Sequence, residues 1–333
     1  MSEAPSGSEP GAPDDDPALS ASFHEQMRAR RTDFENQVAH ARAEFDQANE
    51  RIKARTGRDL LLAIVIGLAI GAVVFVSLVF FAWPFMVFAT AAALLGQFEL
   101  IRALQAAGRR LDVVPLLLAG VAIMLAAWFL GAALHWVVLF AGLAFVVVWR
   151  LIAQMSARDG RRYGAVLDDV LVSGFVLAYV PFLASLALIL LRQDHGAWWV
   201  MAFLIIAIAA DTGAYATGLL LGRHPMAPKI SPKKTWEGFA GAAVFAVVAG
   251  VLLAWLMLGL PWWTGVILGI AILGSATAGD LGESMLKRDL GIKDMSSWLP
   301  GHGGVLDRLD SILPSAAVAL ALSFLLSPLA VTA

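Results

Sequence analysis

Beyond residue 58 the chain alternates between long apolar runs and short polar connections, and that pattern sets its class before any single residue is considered. A helix rises about 1.5 Å per residue, so about 20 apolar residues carry it across the hydrocarbon core of a bilayer. Nine runs meet that length: 59–82, 84–106, 113–132, 135–154, 166–191, 197–221, 238–259, 263–287 and 308–330. In lipid every backbone N–H and C=O must be satisfied within the structure, and runs this long and continuous exceed a barrel strand. The pattern predicts an all-α, polytopic membrane protein of about nine transmembrane helices.

Polar residues dominate only upstream. Residues 1–20, rich in Ser, Pro, Gly and Asp, predict a disordered tail. No basic start followed by a short apolar core is present, so no signal peptide is expected. Within residues 21–57, Phe34, Val38, Ala41, Phe45, Ala48 and Ile52 recur in steps of four and three, the seam of a short coiled coil. One reading is an N-terminal amphipathic helical arm lying on the membrane or on the protein. The other is a dimerising helix that would make the chain a homodimer. The remainder divides into membrane scaffold helices, 58–195, and a membrane catalytic region, 196–333.

Composition agrees with the pattern: 59% of the 333 residues are hydrophobic and 15% charged, against roughly 45–50% and roughly 25% in soluble domains. A net charge of -2 supplies no global basic field, so nucleic acid is not an expected partner. With no Cys, the chain has no disulfide, thiolate nucleophile or Cys-ligated metal.

Charge placement gives an orientation. With the N-terminus inside, the inner segments hold the basic residues of 28–58, Arg102, Arg109, Arg110 and those of 150–162, 223–234 and 287–308, and only Arg192 falls outside. The expected location is therefore integral to a membrane, with the N-terminus and the charged stretches cytoplasmic.

Ionisable residues inside a membrane protein are costly and mark function. The first five spans hold few. Glu99 and Arg102, three apart, read as a structural ion pair near the interface, and Asp168 and Asp169 as a helix-start feature. The last 130 or so residues differ, with three polar stretches on the inner side. The first is Asp211-Thr-Gly-Ala-Tyr215, deep in the sixth run. The second is the loop 223–238, where Arg223, Lys229, Lys233 and Lys234 sit among three prolines in a stiff basic segment suited to phosphates. The third is 280–310. If the eighth helix reaches Arg288, then Asp280, Ser284 and Lys287 fall at i, i+4 and i+7 on one face, with Glu283 beside them. Gly301-His302-Gly303-Gly304 reads as a loop whose backbone N–H groups can cradle phosphate oxygens, and Asp307 and Asp310 open the last span. Carboxylates beside lysines suit a metal–nucleotide site, since Mg²⁺ takes one or two carboxylates plus substrate phosphates.

At these residues the chain resembles the phosphatidate cytidylyltransferase family, the CDP-diacylglycerol synthases. The matching elements are Ser284, Lys287-Arg288, Lys293-Asp294, Pro300-Gly301-His302-Gly303-Gly304 and Asp307-Arg308-Leu309-Asp310, with DTGAY and PKISPKKTWEG upstream. The resemblance is strong over roughly 200–312; the earlier spans match only as membrane helices. It implies the reaction of CTP with phosphatidic acid to give CDP-diacylglycerol and pyrophosphate, by attack of the lipid phosphate on the α-phosphorus. It implies Mg²⁺ with a monovalent cation such as K⁺, and a bacterial inner (plasma) membrane. By motif, Asp280 would be the principal metal ligand and Asp307, paired with Lys287, would sit beside it; Ser284 would line the pocket, and Glu283 and Asp310 complete the candidate ligands. Lys233, Lys234, Arg288, Lys293, His302, Gly303, Gly304 and Arg308 are candidate substrate contacts, with Asp211 in the polar pocket. The competing readings are a related CTP-dependent lipid or polyprenol kinase, which would transfer the γ-phosphoryl group, and an ion-coupled transporter. The acids cluster toward one face rather than the midplane, and no internal repeat is visible, which disfavours transport.

Overall fold

The computed structural model describes residues 60–157, 161–296, 298 and 303–330. The tail, the arm with its coiled-coil seam, and His302 with its neighbours lie outside the described residues. Each apolar run becomes helix: α1 (Leu60–Phe80), α2 (Ala82–Ala106), α3 (Val113–Phe129), α4 (Gly131–Ala157), α5 (Tyr163–Leu177), α6 (Leu183–Leu191), α7 (Gly196–Leu221), α8 (Trp236–Leu256), α9 (Trp262–Asp289), α10 (Leu306–Leu309) and α11 (Ile312–Leu326). Among the described residues, seven helical stretches are long and apolar enough to cross a membrane, and Gly67–Phe80 and Val113–Phe129 are shorter apolar helices. The protein is an all-α polytopic membrane protein, and its described residues hold these seven spans beside the two shorter apolar helices. The third run stops early because Gly131 takes a left-handed φ of 76° and α4 starts there.

Two runs carry local breaks with physical causes. The fifth, Tyr163–Leu191, passes through a π-turn at Ala178–Phe182, where Pro181 has no N–H to give to the preceding turn. The ninth is offset at Asp310 and Ser311, where the Asp310 side chain accepts the Ser311 N–H at 2.6 Å. The basic loop 223–238 folds as an antiparallel hairpin, β1 (Pro225–Ala227) and β2 (Ser231–Thr235), in register Pro225↔Thr235 and Ala227↔Ser231. Thr235 then caps α8 by accepting the Gly238 N–H at 3.1 Å. Glu237 accepts from the backbone N–H groups of Arg223 and His224, closing the hairpin onto α8.

Apolar helices gain nothing from leaving lipid for one another, so close approach and van der Waals contact hold them together. A Cβ on Gly241 of α8 would fall 2.0 Å from Thr217 Oγ1 of α7, and one on Gly265 of α9 would fall 2.5 Å from the Gly250 carbonyl of α8. These crossings bring α7, α8 and α9 into one tight three-helix group. Two buried clusters fill the rest. One joins α6, α7 and α9 through Leu190, Phe203, Ile206, Leu268 and Ile272. The other joins α2 and α3 to the last helices through Leu100, Ile101, Ile123, Leu306 and Leu313. Residues from Leu62 onward cluster as one compact unit.

Asp168 and Asp169 are not at a helix start. The helix begins at Tyr163, which puts both carboxylates past its first turn. Asp169 is fully buried and holds Arg150 at 2.9 Å, Arg161, and the Arg110 backbone N–H at 3.1 Å. It fastens α5 to α4 and to the connection between α2 and α3. Asp168 pairs with Arg109 at 2.8 Å on the surface.

Candidate active site

The hairpin and the group α7, α8 and α9 enclose a cavity of about 320 Å³. Its charged wall is Asp211 from α7, Lys233 and Lys234 from β2, and Asp280 from α9; its apolar wall includes Ala210, Ala214, Phe239 and Leu273. Lys234 forms an ion pair with Asp280, and the Ser284 hydroxyl leans on the other Asp280 oxygen at 3.4 Å. Helix α9 continues to Asp289, so Asp280, Ser284 and Lys287 do follow one another along one helix.

Lys287, the next step along that row, lies in a second charged group. Its Nζ donates to Asp307 Oδ1 at 2.8 Å and stands 3.5 Å from Glu283 Oε1. Asp307 Oδ2 accepts the backbone N–H groups of Met295 at 3.0 Å and Gly304 at 2.8 Å. Glu283 is 1% exposed, and its carboxyl group lies between the Lys287 ammonium and the Asp310 side chain, with which it shares a hydrogen bond. Asp310 is also buried.

The remaining sequence candidates scatter around these two groups. Arg288 donates to the Ile230 carbonyl at 3.2 Å and so ties α9 to the hairpin. Lys293 and Arg308 are exposed, on the connection after α9 and on α10. Gly303 has a φ of 85°, a conformation glycine alone takes freely. The Gly304 N–H donates to Asp307 Oδ2 at 2.8 Å, so it serves the protein's own carboxylate.

Among the described residues, no group of three or more His, Cys, Asp or Glu side chains converges as a ready-made metal centre. The donor chemistry still fits a hard cation. Every candidate ligand is a carboxylate, Mg²⁺ needs only one or two of them beside substrate phosphates, and Asp280 presents its carboxylate on the cavity wall.

Sequence reasoning missed three participants. Glu99 does not pair with Arg102, whose guanidinium faces Gln105 at 3.5 Å. It turns inward, 2% exposed, and accepts the N–H groups of Val305 at 3.0 Å and Leu306 at 2.8 Å and the Ser296 hydroxyl. The available signal was its place as a lone acid in an apolar run, read as interfacial when it is buried. Ser296 belongs to the same network. Tyr179 sits in the π-turn with its hydroxyl buried and unpartnered, within electrostatic range of Glu283, Asp310 and Asp280; nothing in the local sequence announces it.

Fold and charged cavity together define a polytopic helical membrane enzyme. Residues 61–326 match the model of the cytidylyltransferase family. The phosphatidate cytidylyltransferase of Mycobacterium bovis is 43% identical over 272 residues, covering 80% of this chain and 89% of that protein. That of Mycobacterium leprae is 39% identical over 277 residues, covering 80% and 88%. That of Haemophilus influenzae is 39% identical over 143 residues, covering 40% and 50%. The chain belongs to the cytidylyltransferase family, and it is a nucleotidyltransferase.

Proposed function

We propose that the protein is a phosphatidate cytidylyltransferase, joining CTP and phosphatidic acid to give CDP-diacylglycerol and pyrophosphate. The observation that carries this reading is the cavity, whose charged wall of Lys233, Lys234, Asp211 and Asp280 faces an apolar wall of α7, α8 and α9 side chains. A triphosphate and a lipid need those two surfaces side by side. The relatives' names give cytidylyl transfer with phosphatidate for those proteins.

A phosphate oxygen of the lipid forms the new bond to the α-phosphorus of CTP, and the bond from that phosphorus to the bridging oxygen breaks, with pyrophosphate leaving. No protein nucleophile is needed, so the residues act by positioning and by neutralising charge. Lys233 and Lys234, at the end of a hairpin held by Glu237, Thr235 and Arg288, supply positive charge to the polyphosphate. Lys287, fixed between Asp307 and Glu283, holds positive charge at the end of α9. Asp280, with Glu283, Asp307 and Asp310 as neighbouring candidates, would hold Mg²⁺, with K⁺ as the accompanying monovalent cation. Bound there, the cation supplies charge neutralisation of the phosphates and of the pyrophosphate leaving group.

The asymmetry of Lys and Arg supports a cytoplasmic N-terminus and site, in the plasma membrane of a bacterium, where soluble CTP and the lipid of the inner leaflet meet. The test uses the purified full-length chain in vesicles with phosphatidic acid, Mg²⁺ and K⁺, and CTP labelled at the α- or the γ-phosphate. Label from the α-position in lipid, with release of pyrophosphate, is expected. Transfer of the γ-label, or no labelled lipid, overturns the reading.

A further inference from the structure

We propose that Glu99, on α2, is a positioning residue for the reaction: it holds the segment that carries Asp307, and through Asp307 it sets Lys287. The proposal deepens the cytidylyl-transfer reading and rests on it for its activity measurements alone.

The connection between α9 and α10 leaves as residues 295–296 and returns as residues 303–306, and two carboxylates staple the two limbs together. Glu99 takes the Ser296 hydroxyl from the outgoing limb and the N–H groups of Val305 and Leu306 from the returning one, at 3.0 and 2.8 Å. Asp307 does the same one step along, taking Met295 N–H at 3.0 Å and Gly304 N–H at 2.8 Å. Gly304 lies between the staples: a Cβ there would fall 2.8 Å from Glu99 Oε2 and 2.9 Å from Asp307 Oδ2. With Oδ2 committed to the backbone, Asp307 presents Oδ1 to Lys287 at 2.8 Å.

Among the described residues Glu99 receives three donors, all of which its two carboxylate oxygens can accept. A glutamine has the same shape, but its NH₂ would confront a donor, leaving at least one buried N–H or hydroxyl without its partner. The returning limb would then lose part of its hold on α2, and Asp307 would be freer to shift from Lys287. Displacements of about 1 Å at a site that works by positioning cost up to about 100-fold in rate.

The experiment compares full-length wild type, Glu99→Gln, Ser296→Ala, Asp307→Asn and Glu99→Gln/Asp307→Asn in vesicles containing phosphatidic acid. It reads kcat and KM for CTP, the thermal melt, and hydrogen exchange at the Val305 and Leu306 amides. Glu99→Gln is expected to lower kcat about 10- to 100-fold with KM within about twofold, and to speed exchange at both amides. The double variant should be no slower than Asp307→Asn alone, because both act through one network. Ser296→Ala, a milder change, should lower kcat by a smaller factor in the same direction, which keeps the test open if Glu99→Gln fails to fold. Unchanged kcat and exchange in these variants, losses that multiply in the double variant, or a kcat loss that only follows the unfolded fraction would overturn the proposal. If wild type makes no CDP-lipid, the reaction reading fails. The exchange measurement then decides whether Glu99 holds 305–306, and unchanged protection overturns that too.

Discussion

Lys287 and Asp307, 20 positions apart, meet at 2.8 Å and lock the last turns of α9 to the start of α10. Their side chains are 12% and 7% exposed, and Glu283, fully shielded, stands 3.5 Å from the same ammonium. One cation thus serves two buried carboxylates. Removing one partner of a buried pair leaves an uncompensated charge, which costs about 3–5 kcal/mol. Lys287→Met strands two carboxylates, whereas Asp307→Asn leaves the ammonium with Glu283. Lys287→Met is therefore expected to melt lower than Asp307→Asn, and both to form CDP-lipid at reduced but measurable rates. Thermal melting in detergent beside turnover checks the order.

Lys234 and Asp280 form an ion pair on the charged wall of the cavity, and they should fail differently. Asp280→Ala is expected to abolish turnover while the protein inserts and melts normally, because Asp280 is one-third exposed on the cavity wall and anchors no helix contact. Lys234→Ala removes one charge–phosphate contact, worth about 1.5–3 kcal/mol, and should raise KM for CTP about tenfold or more. Steady-state kinetics at varied CTP separates the two. Retained activity in Asp280→Ala would remove it from the site.

How much of this was legible follows from what each residue depends on. The membrane helices came from run length, which needs no tertiary information. The row Asp280, Ser284, Lys287 came from helix periodicity, and the helix does extend far enough to carry it. Glu99 and Asp169 were misread because their partners are backbone N–H groups or arginines on other helices, and no local spacing encodes those. The hairpin was hidden because prolines and lysines in 225–235 read as a stiff basic loop, and it is closed by Glu237 of the following helix, which Thr235 at the end of β2 caps. The shortened third run turned on one glycine's φ, a property sequence permits but does not dictate.

Gly304 offers a test of the stapled connection that removes no functional group. A methyl there would meet Glu99 Oε2 at 2.8 Å, Asp307 Oδ2 at 2.9 Å and the Ser296 N at 3.1 Å. Both carboxylates are fixed by hydrogen bonds and cannot give way freely. Gly304→Ala is therefore expected to cost about 1–3 kcal/mol, as overpacking does, and to reduce turnover more than Gly282→Ala, whose added Cβ meets nothing within 4 Å. Comparing turnover and melting of the two variants checks this.

Asp169 supplies the opposite control, a buried charge away from the cavity. It is fully buried with Arg150 and Arg161 and accepts the Arg110 N–H. Asp169→Asn leaves two guanidinium groups without their carboxylate, so about 3–5 kcal/mol of stability is expected to go. Arg150, Arg161 and Arg110 are not among the described residues that line the cavity. The folded fraction should therefore keep the wild-type KM for CTP and the wild-type kcat per folded molecule, while yield and melting temperature fall. Active-site titration against total protein separates the two quantities. A changed KM in the folded fraction would mean that the α4–α5 clamp reaches the site, and that the charge of the early helices does more than hold them together.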